Sequence, residues 1–276
     1  MIGKRDRQQS EMAISEHELN SMTAELDMLH NETFPSVRKT LDDFSANFAN
    51  LTAKKSAGRR TFLMGMGGAV MLGTVAACGS SKSKNSSGNS ASTTPSDTSS
   101  PSSTASGSVY TGDLKVVALA AALENLAVTA YKGALTMAGA GKLGTVPPAV
   151  GTFVTTAMKQ HVDHASAWNG VLAKANLPTI TDAPLSITAG QVAMLNAAKS
   201  VPDVAKLALA LENAAADTYT FAAANVTDAG GIMTAATIQP VETMHAAILS
   251  FVLGEYPVPL SFIGVDKAVP PSAFTK

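Results

Sequence analysis

The chain has 276 residues, a formal net charge of −1 and only 15% charged side chains. Such a balance gives no electrostatic footing for nucleic acid or a polybasic membrane patch, and the length allows one or two domains. Aromatics are 5% and Ala, Leu, Val and Met dominate the second half, which favours helices packed through small side chains over a β-sandwich. A single cysteine, Cys78, excludes an intrachain disulfide.

Residues 1–57 form an extension with two apolar stripes at helical spacing. The first runs through Ile14, Leu19, Met22, Leu26 and Leu29, and the second through Val37, Leu41, Phe44, Phe48 and Leu51. Pro35 is expected to break the two apart. Two readings stay open: a short cytoplasmic helical hairpin discarded at cleavage, or an over-long start. The extension carries no functional assignment from its sequence.

Residues 58–79 read GRRTFLMGMGGAVMLGTVAACG. They resemble a twin-arginine export signal joined to a lipoprotein lipobox, with Arg59 and Arg60 followed by Thr61, Phe62 and Leu63, and with VAAC ending at Cys78. The apolar run from Phe62 to Ala77 is 16 residues, short of the roughly 20 that span a bilayer. The segment is therefore read as targeting rather than fold. It implies passage through the twin-arginine export machinery and lipidation of Cys78. The domain that follows would then sit on the extracytoplasmic face of a bacterial membrane. The alternative is a short membrane anchor that is never cleaved. The tract at 79–110, rich in Ser, Thr, Gly and Pro, cannot bury a core and reads as a linker with a reach on the order of 30 Å.

The folded domain, residues 111–276, contains an internal repeat. LAAALENLAVTAYKGAL (119–135) parallels LALALENAAADTYTFAA (207–223), aligning Glu124 with Glu212 and Tyr131 with Tyr219. KQHVDHASAW (159–168) parallels QPVETMHAAI (239–248), aligning His161 with Glu242 and His164 with His245. The expected helices are 112–139; Pro147 or Pro148 to about Ala175; VPDVAK, with Pro202 or Asp203 near the cap, to VTDAGG; and Gly231 to Leu253, kinked or delayed by Pro240. About 27 residues separate the second from the third, room for a crossover with a short helix in ITAGQVAMLNAA. Two αα-hairpins joined by a long crossover make an all-α, four-helix bundle. The Pro-rich tail is expected to strap across it.

From residue 79 onward the chain has four Glu and three His, and three of those Glu with all three His fall on repeat-aligned positions. Residues three apart share a helix face, so His161 with His164, and Glu242 with His245, can point together into the bundle. Buried carboxylates pair with a cation or hold a metal, and no Lys or Arg stands at a repeated position. Tyr131 and Tyr219 lie two turns beyond the aligned Glu on the same face, as hydrogen-bond donors behind the ligands, redox-active groups or plain core residues. Asp163 and Asp217 fall off that face and are expected to be solvated or capping, and Trp168 to be core.

This pattern resembles the ferritin-like di-metal carboxylate family, and within it the bacterial ferritin-like proteins exported with signal peptides. The family motif is one Glu on each of two helices and Glu-x-x-His on the other two. Glu124, Glu212 and Glu242-Thr-Met-His245 match it; His161 stands where the family has Glu. The resemblance implies a metal site of Glu124, His161, His164, Glu212, Glu242 and His245, holding one or two transition-metal ions, Fe or Mn. Iron oxidation or peroxide breakdown would be its chemistry if the site is active. Against this stands a structural or stress-protective bundle whose metal site has degenerated through His161. A storage-cage subunit is a third reading, ill suited to a tethered domain with a long linker and tail. No nucleic-acid partner is expected, and oligomeric state is open.

Overall fold

A computed structural model describes residues 15–54, with side chains through 46, together with 108–259 and 262–276. Arg59, Arg60, Cys78 and nearly all of the linker lie outside the described residues, as do Ile14 and the side chains of Phe48 and Leu51. Among the described residues the chain is all-helical: α1 (Glu16–Lys54), α2 (Asp113–Gly139), α3 (Pro148–Lys174), α4 (Thr188–Ala197), α5 (Val201–Asn225) and α6 (Ala229–Leu253). The helix α2 pairs with α3 and α5 with α6, and the two hairpins meet chiefly along α2 and α5. The crossover from α3 to α5 carries the short α4, which packs against α2 and α5. This is the four-helix bundle with a long crossover that the repeat implies.

Local chemistry sets the helix ends. Pro147 and Pro148 open α3, where a missing N–H costs nothing. Ser200 caps α5, accepting from the Asp203 N–H, while Asp203 accepts from the Lys199 N–H at 3.0 Å, a reciprocal arrangement of the capping-box kind. Asp228 caps α6 through the N–H groups of Gly230 and Gly231. Gly254, at φ 75°, closes α6 in the left-handed conformation, and Glu255 N–H returns to the Ser250 carbonyl at 2.8 Å.

Neither internal proline interrupts its helix. The helix α1 is continuous through Pro35, correcting the expected break, and α6 is helical from Ala229 through Pro240. Both prolines are exposed, as are Asn31 and Ala236, whose carbonyls lose their helical donor. Water can satisfy those carbonyls, so the cost falls where it is smallest.

The second correction concerns α1 as a whole. Leu19, Thr23, Leu26, His30, Phe34, Val37, Leu41 and Phe44 are buried along one stripe of α1, in phase across Pro35. Leu19 and Leu26 join the core at one end of the bundle, with Phe153 and Ile248; Phe34, Val37, Leu41 and Phe44 join it at the other, with Trp168 and Ile238. The segment is thus a fifth long helix on the bundle rather than a hairpin of its own. The tail also packs on the domain: Val269, Ala273 and Phe274 are buried, and the Val269 N–H donates to Thr218 Oγ1 at 2.9 Å.

Candidate metal centre

Two large apolar clusters fill the bundle, one at each end, and a smaller third lies under α4 around Met137, Leu195 and Leu207. Every bundle helix carries its acidic or imidazole residues close to where it passes from one large cluster to the other. On α3 the switch falls between Ala157 and Ala167, flanking His161 and His164. On α5 it falls between Ala208 and Ala215, flanking Glu212, and on α6 between Ile238 and Ile248, flanking Glu242 and His245. Glu124 holds the matching level on α2. The result is one polar layer sealed above and below by hydrocarbon, with all six side chains at 2% exposure or less.

His161 lies across the layer. Its Nδ1 is 2.7 Å from Glu124 Oε2 and its Nε2 is 3.1 Å from Glu212 Oε1. Glu242 sits at the waist: Oε1 is 3.1 Å from His164 Nδ1, and Oε2 is 3.5 Å from Nδ1 of His245 on its own helix. Two overlapping four-residue groups follow, Glu124–His161–His164–Glu242 and His161–Glu212–Glu242–His245, each with ligand atoms within 4.8 Å of one another. His161 and Glu242 belong to both. The layer therefore has two lobes related as the repeat is, joined by one carboxylate and one imidazole.

The tyrosines support the carboxylates crosswise. Tyr131 donates to Glu212 Oε1 and Tyr219 donates to Glu124 Oε1. Trp168 extends the second chain, its indole N–H donating to the Tyr219 oxygen at 2.9 Å. Gln160, next to His161 in sequence, accepts from His245 Nε2 at 2.8 Å. That bond leaves His245 Nδ1 as the nitrogen facing Glu212 and Glu242, the tautomer a metal ligand needs.

Burial opposes charge on Glu124, Glu212 and the three histidines, yet mutual attraction outweighs it there. Against burial, His164 and His161 hold the Glu124 carboxyl down at about 2, and His161 and His245 hold Glu212 well below its usual value. Also against burial, Glu212 and Glu242 push His161 well up, Glu124 and Glu242 raise His164 to about 9, and Glu212 raises His245. The Tyr131 and Tyr219 hydroxyls are pushed well above their usual value by burial and by the Glu212 and Glu124 carboxylates, so both stay protonated donors. Without metal, protons on the histidines balance the carboxylates.

That balance is incomplete in hydrogen bonds. Both nitrogens of His164, Nδ1 of His245, both oxygens of Glu242 and Oε2 of Glu212 are buried without a hydrogen-bond partner. Unpaired buried polar atoms are costly and rare. Here five of them, all but His164 Nε2, face an imidazole or carboxylate of the same layer. The residues present therefore fit a metal ion, and carboxylate and imidazole donors of this kind suit Fe, Mn or Zn alike.

Three participants escape a reading of the bundle sequence alone. Gln160 carries no ligand signature of its own. Asp163 is not simply solvated: it faces His30 Nε2 at 3.7 Å, Arg38 at 3.9 Å and Lys159 at 3.8 Å. His30, from α1, is 3% exposed, and burial together with the neighbouring His164 lowers it to about 4. The one signal for His30 is its place four residues after Leu26, on a stripe that continues to Phe34. Asp217 accepts the Lys267 N–H at 2.8 Å and so holds the tail.

Fold and site together define a helical bundle with a buried carboxylate–histidine layer. A family model described as a ferritin-like domain matches residues 112–255, spanning α2 through α6. The chain belongs to the ferritin-like family. Comparison with curated proteins and with solved structures found no match.

Proposed function

We propose that the protein is a lipid-anchored, extracytoplasmic ferritin-like protein that binds one or two Fe or Mn ions between its four bundle helices. The observation that carries the metal reading is the set of five unpartnered ligand atoms that face one another in the layer. Glu124, His164 and Glu242 would serve one lobe, and Glu212, His245 and Glu242 the other, with His161 between them. A bound iron ion would supply one-electron redox chemistry, and iron oxidation or peroxide breakdown is the activity to assay. The chain's own part is to orient these groups, exclude water and store protons: His164 and His245 give up protons before their Nδ1 atoms can ligate, so metal uptake is linked to proton release.

Anchoring rests on the RR-T-F-L and VAAC motifs and on the Ser/Thr-rich tract that follows them. Full chain grown with labelled lipid should carry label at Cys78 and lose it in Cys78→Ser. Arg59→Lys with Arg60→Lys should hold the chain in the cytoplasm. An unlabelled wild type, or export unaffected by the double substitution, would contradict this part.

A second reading is favoured by one observation. His161 already bonds Glu124 and Glu212, so a protonated imidazole does part of a metal's work. A structural or stress-protective bundle with a degenerate site would retain no metal after reconstitution and desalting, and its Tm would not respond to added Fe(II) or Mn(II).

A further inference from the structure

We propose that α1 is a detachable fifth wall of the metal centre, seated over His164 while the chain is whole and withdrawn when the chain is processed. The inference rests on the metal-binding and export readings above. The family match begins at residue 112, so it assigns nothing to α1.

Contact at the site comes first. The His30 ring centroid is 5.2 Å from that of His164, the Phe34 centroid is 5.6 Å away, and His30 and Phe34 stack on each other at 4.7 Å. These two rings of α1 lie against a residue that ligates one lobe in the proposed site. His164 is fully buried with both nitrogens unpartnered, so what lies against it controls the access of water and chelators.

The bundle is also shaped to receive α1. A Cβ at Gly230 would stand 2.8 Å from Phe44 Cβ and 3.0 Å from the Thr40 carbonyl oxygen. Only glycine lets the start of α6 approach α1 this closely. Charges pin the edges: Asp163 faces His30 and Arg38, Lys159 reaches Asn31 at 3.3 Å, and Lys174 pairs with Asp42. Surface pairs of this kind add little energy but set register. Apolar burial along the α1 stripe supplies the affinity.

Position in the chain turns this wall into a switch. The helix α1 lies upstream of the twin-arginine motif and the bundle lies downstream of Cys78. Hydrolysis of the Ala77–Cys78 peptide bond, on the export reading, leaves α1 on a separate fragment. The precursor holds its metal behind a closed face, and the processed domain presents an open one beside His164.

The test uses the full chain carrying Cys78→Ser, loaded with Co(II), with EDTA-driven release followed by cobalt absorption and amide hydrogen exchange followed in parallel. Residues 19–45 should be protected and release slow. Phe44→Glu should abolish protection of 19–45, leave that of 113–253, and speed release at least tenfold. Phe34→Ala, which opens the face without unseating the helix, should speed it severalfold. Release at the parental rate in both variants overturns the proposal. If Phe44→Glu unfolds the bundle, Phe34→Ala decides alone. Unprotected 19–45 in a parent that holds Co(II) overturns the wall and spares the metal site. A parent with protected 19–45 that holds no Co(II) overturns the metal reading and the proposal with it.

Discussion

Tyr131 and Glu212 belong to opposite halves of the internal repeat, yet the Tyr131 hydroxyl donates to Glu212 Oε1. Its repeat mate Tyr219 donates to Glu124 in the same crossed fashion. Each half thus braces the other's carboxylate, and the layer is complete only when the two hairpins meet. The two bonds are not equivalent, because only Tyr219 also accepts from the Trp168 indole.

This asymmetry gives a clean comparison. Tyr131→Phe and Tyr219→Phe each remove a donor to a buried carboxylate, and each should lower unfolding stability by about 1.5–3 kcal/mol, the range for hydrogen bonds to charged groups. Trp168 is the single tryptophan, so its emission should shift in Tyr219→Phe and stay unchanged in Tyr131→Phe. Denaturant titration with fluorescence reads both effects; equal spectra in the two variants would contradict the assigned bonds.

The metal-free protein should lose stability toward alkaline pH. His164 is raised from 6.5 to about 9, so its charged form contributes fully below pH 6.5, and the contribution disappears as pH rises through about 9. Glu124 is lowered from 4.5 to about 2, so its contribution is complete above pH 4.5 and disappears as pH falls through about 2. Urea unfolding of chelator-treated protein is expected to show a maximum near pH 6.5: below it the unfolded chain takes up a proton that buried His30, lowered to about 4, does not, and above it the His164 contribution is lost. A profile flat through pH 9 would show that His164 does not share the carboxylate field.

Substituting His161→Glu supplies the carboxylate that the family motif carries at this position. In the metal-free protein it removes the imidazole that balances Glu124 and Glu212, a loss of about 3–5 kcal/mol by analogy with broken buried ion pairs. With Fe(II) or Mn(II) the order should reverse: metal content per chain rises relative to wild type, and the metal-induced gain in Tm is larger. Elemental analysis and thermal melts of both proteins check this.

At the α1 contact, Gly230→Ala forces a methyl group toward Phe44 and the Thr40 carbonyl. Overpacking of this kind costs about 1–3 kcal/mol. The expected outcome is faster proteolysis within 16–54 while α2–α6 keep their resistance. Unchanged cleavage kinetics would mean that α1 is not held against the start of α6.

Much of the site is legible in the sequence because the repeat does the work of an alignment. Glu124 with Glu212, and His164 with His245, pair from sequence order alone, and the four bundle helices follow from the prolines, caps and Ala-rich faces around them. What stays hidden depends on three dimensions. The crossed tyrosines cannot be read from one chain direction, since Tyr131 shares a face with Glu124 and yet bonds Glu212. In sequence His161 reads as a substitution; the geometry shows one ring nitrogen facing each of two carboxylates. Pro35 misleads when a breaker is judged apart from its face: on the exposed side of α1 its cost falls on a carbonyl that water can reach, and the buried stripe runs on in phase. His30 is hidden with it, since a histidine in an upstream extension gains meaning only once that helix lies against His164.

The central claim is that the buried layer holds metal. Its most direct measurement is elemental analysis of the full chain after anaerobic loading with Fe(II) or Mn(II) and desalting, with Tm recorded beside it. The account predicts one to two ions retained per chain and a raised Tm, both lost in Glu242→Ala. Less than a tenth of an ion per chain, with Tm indifferent to added metal, would contradict it.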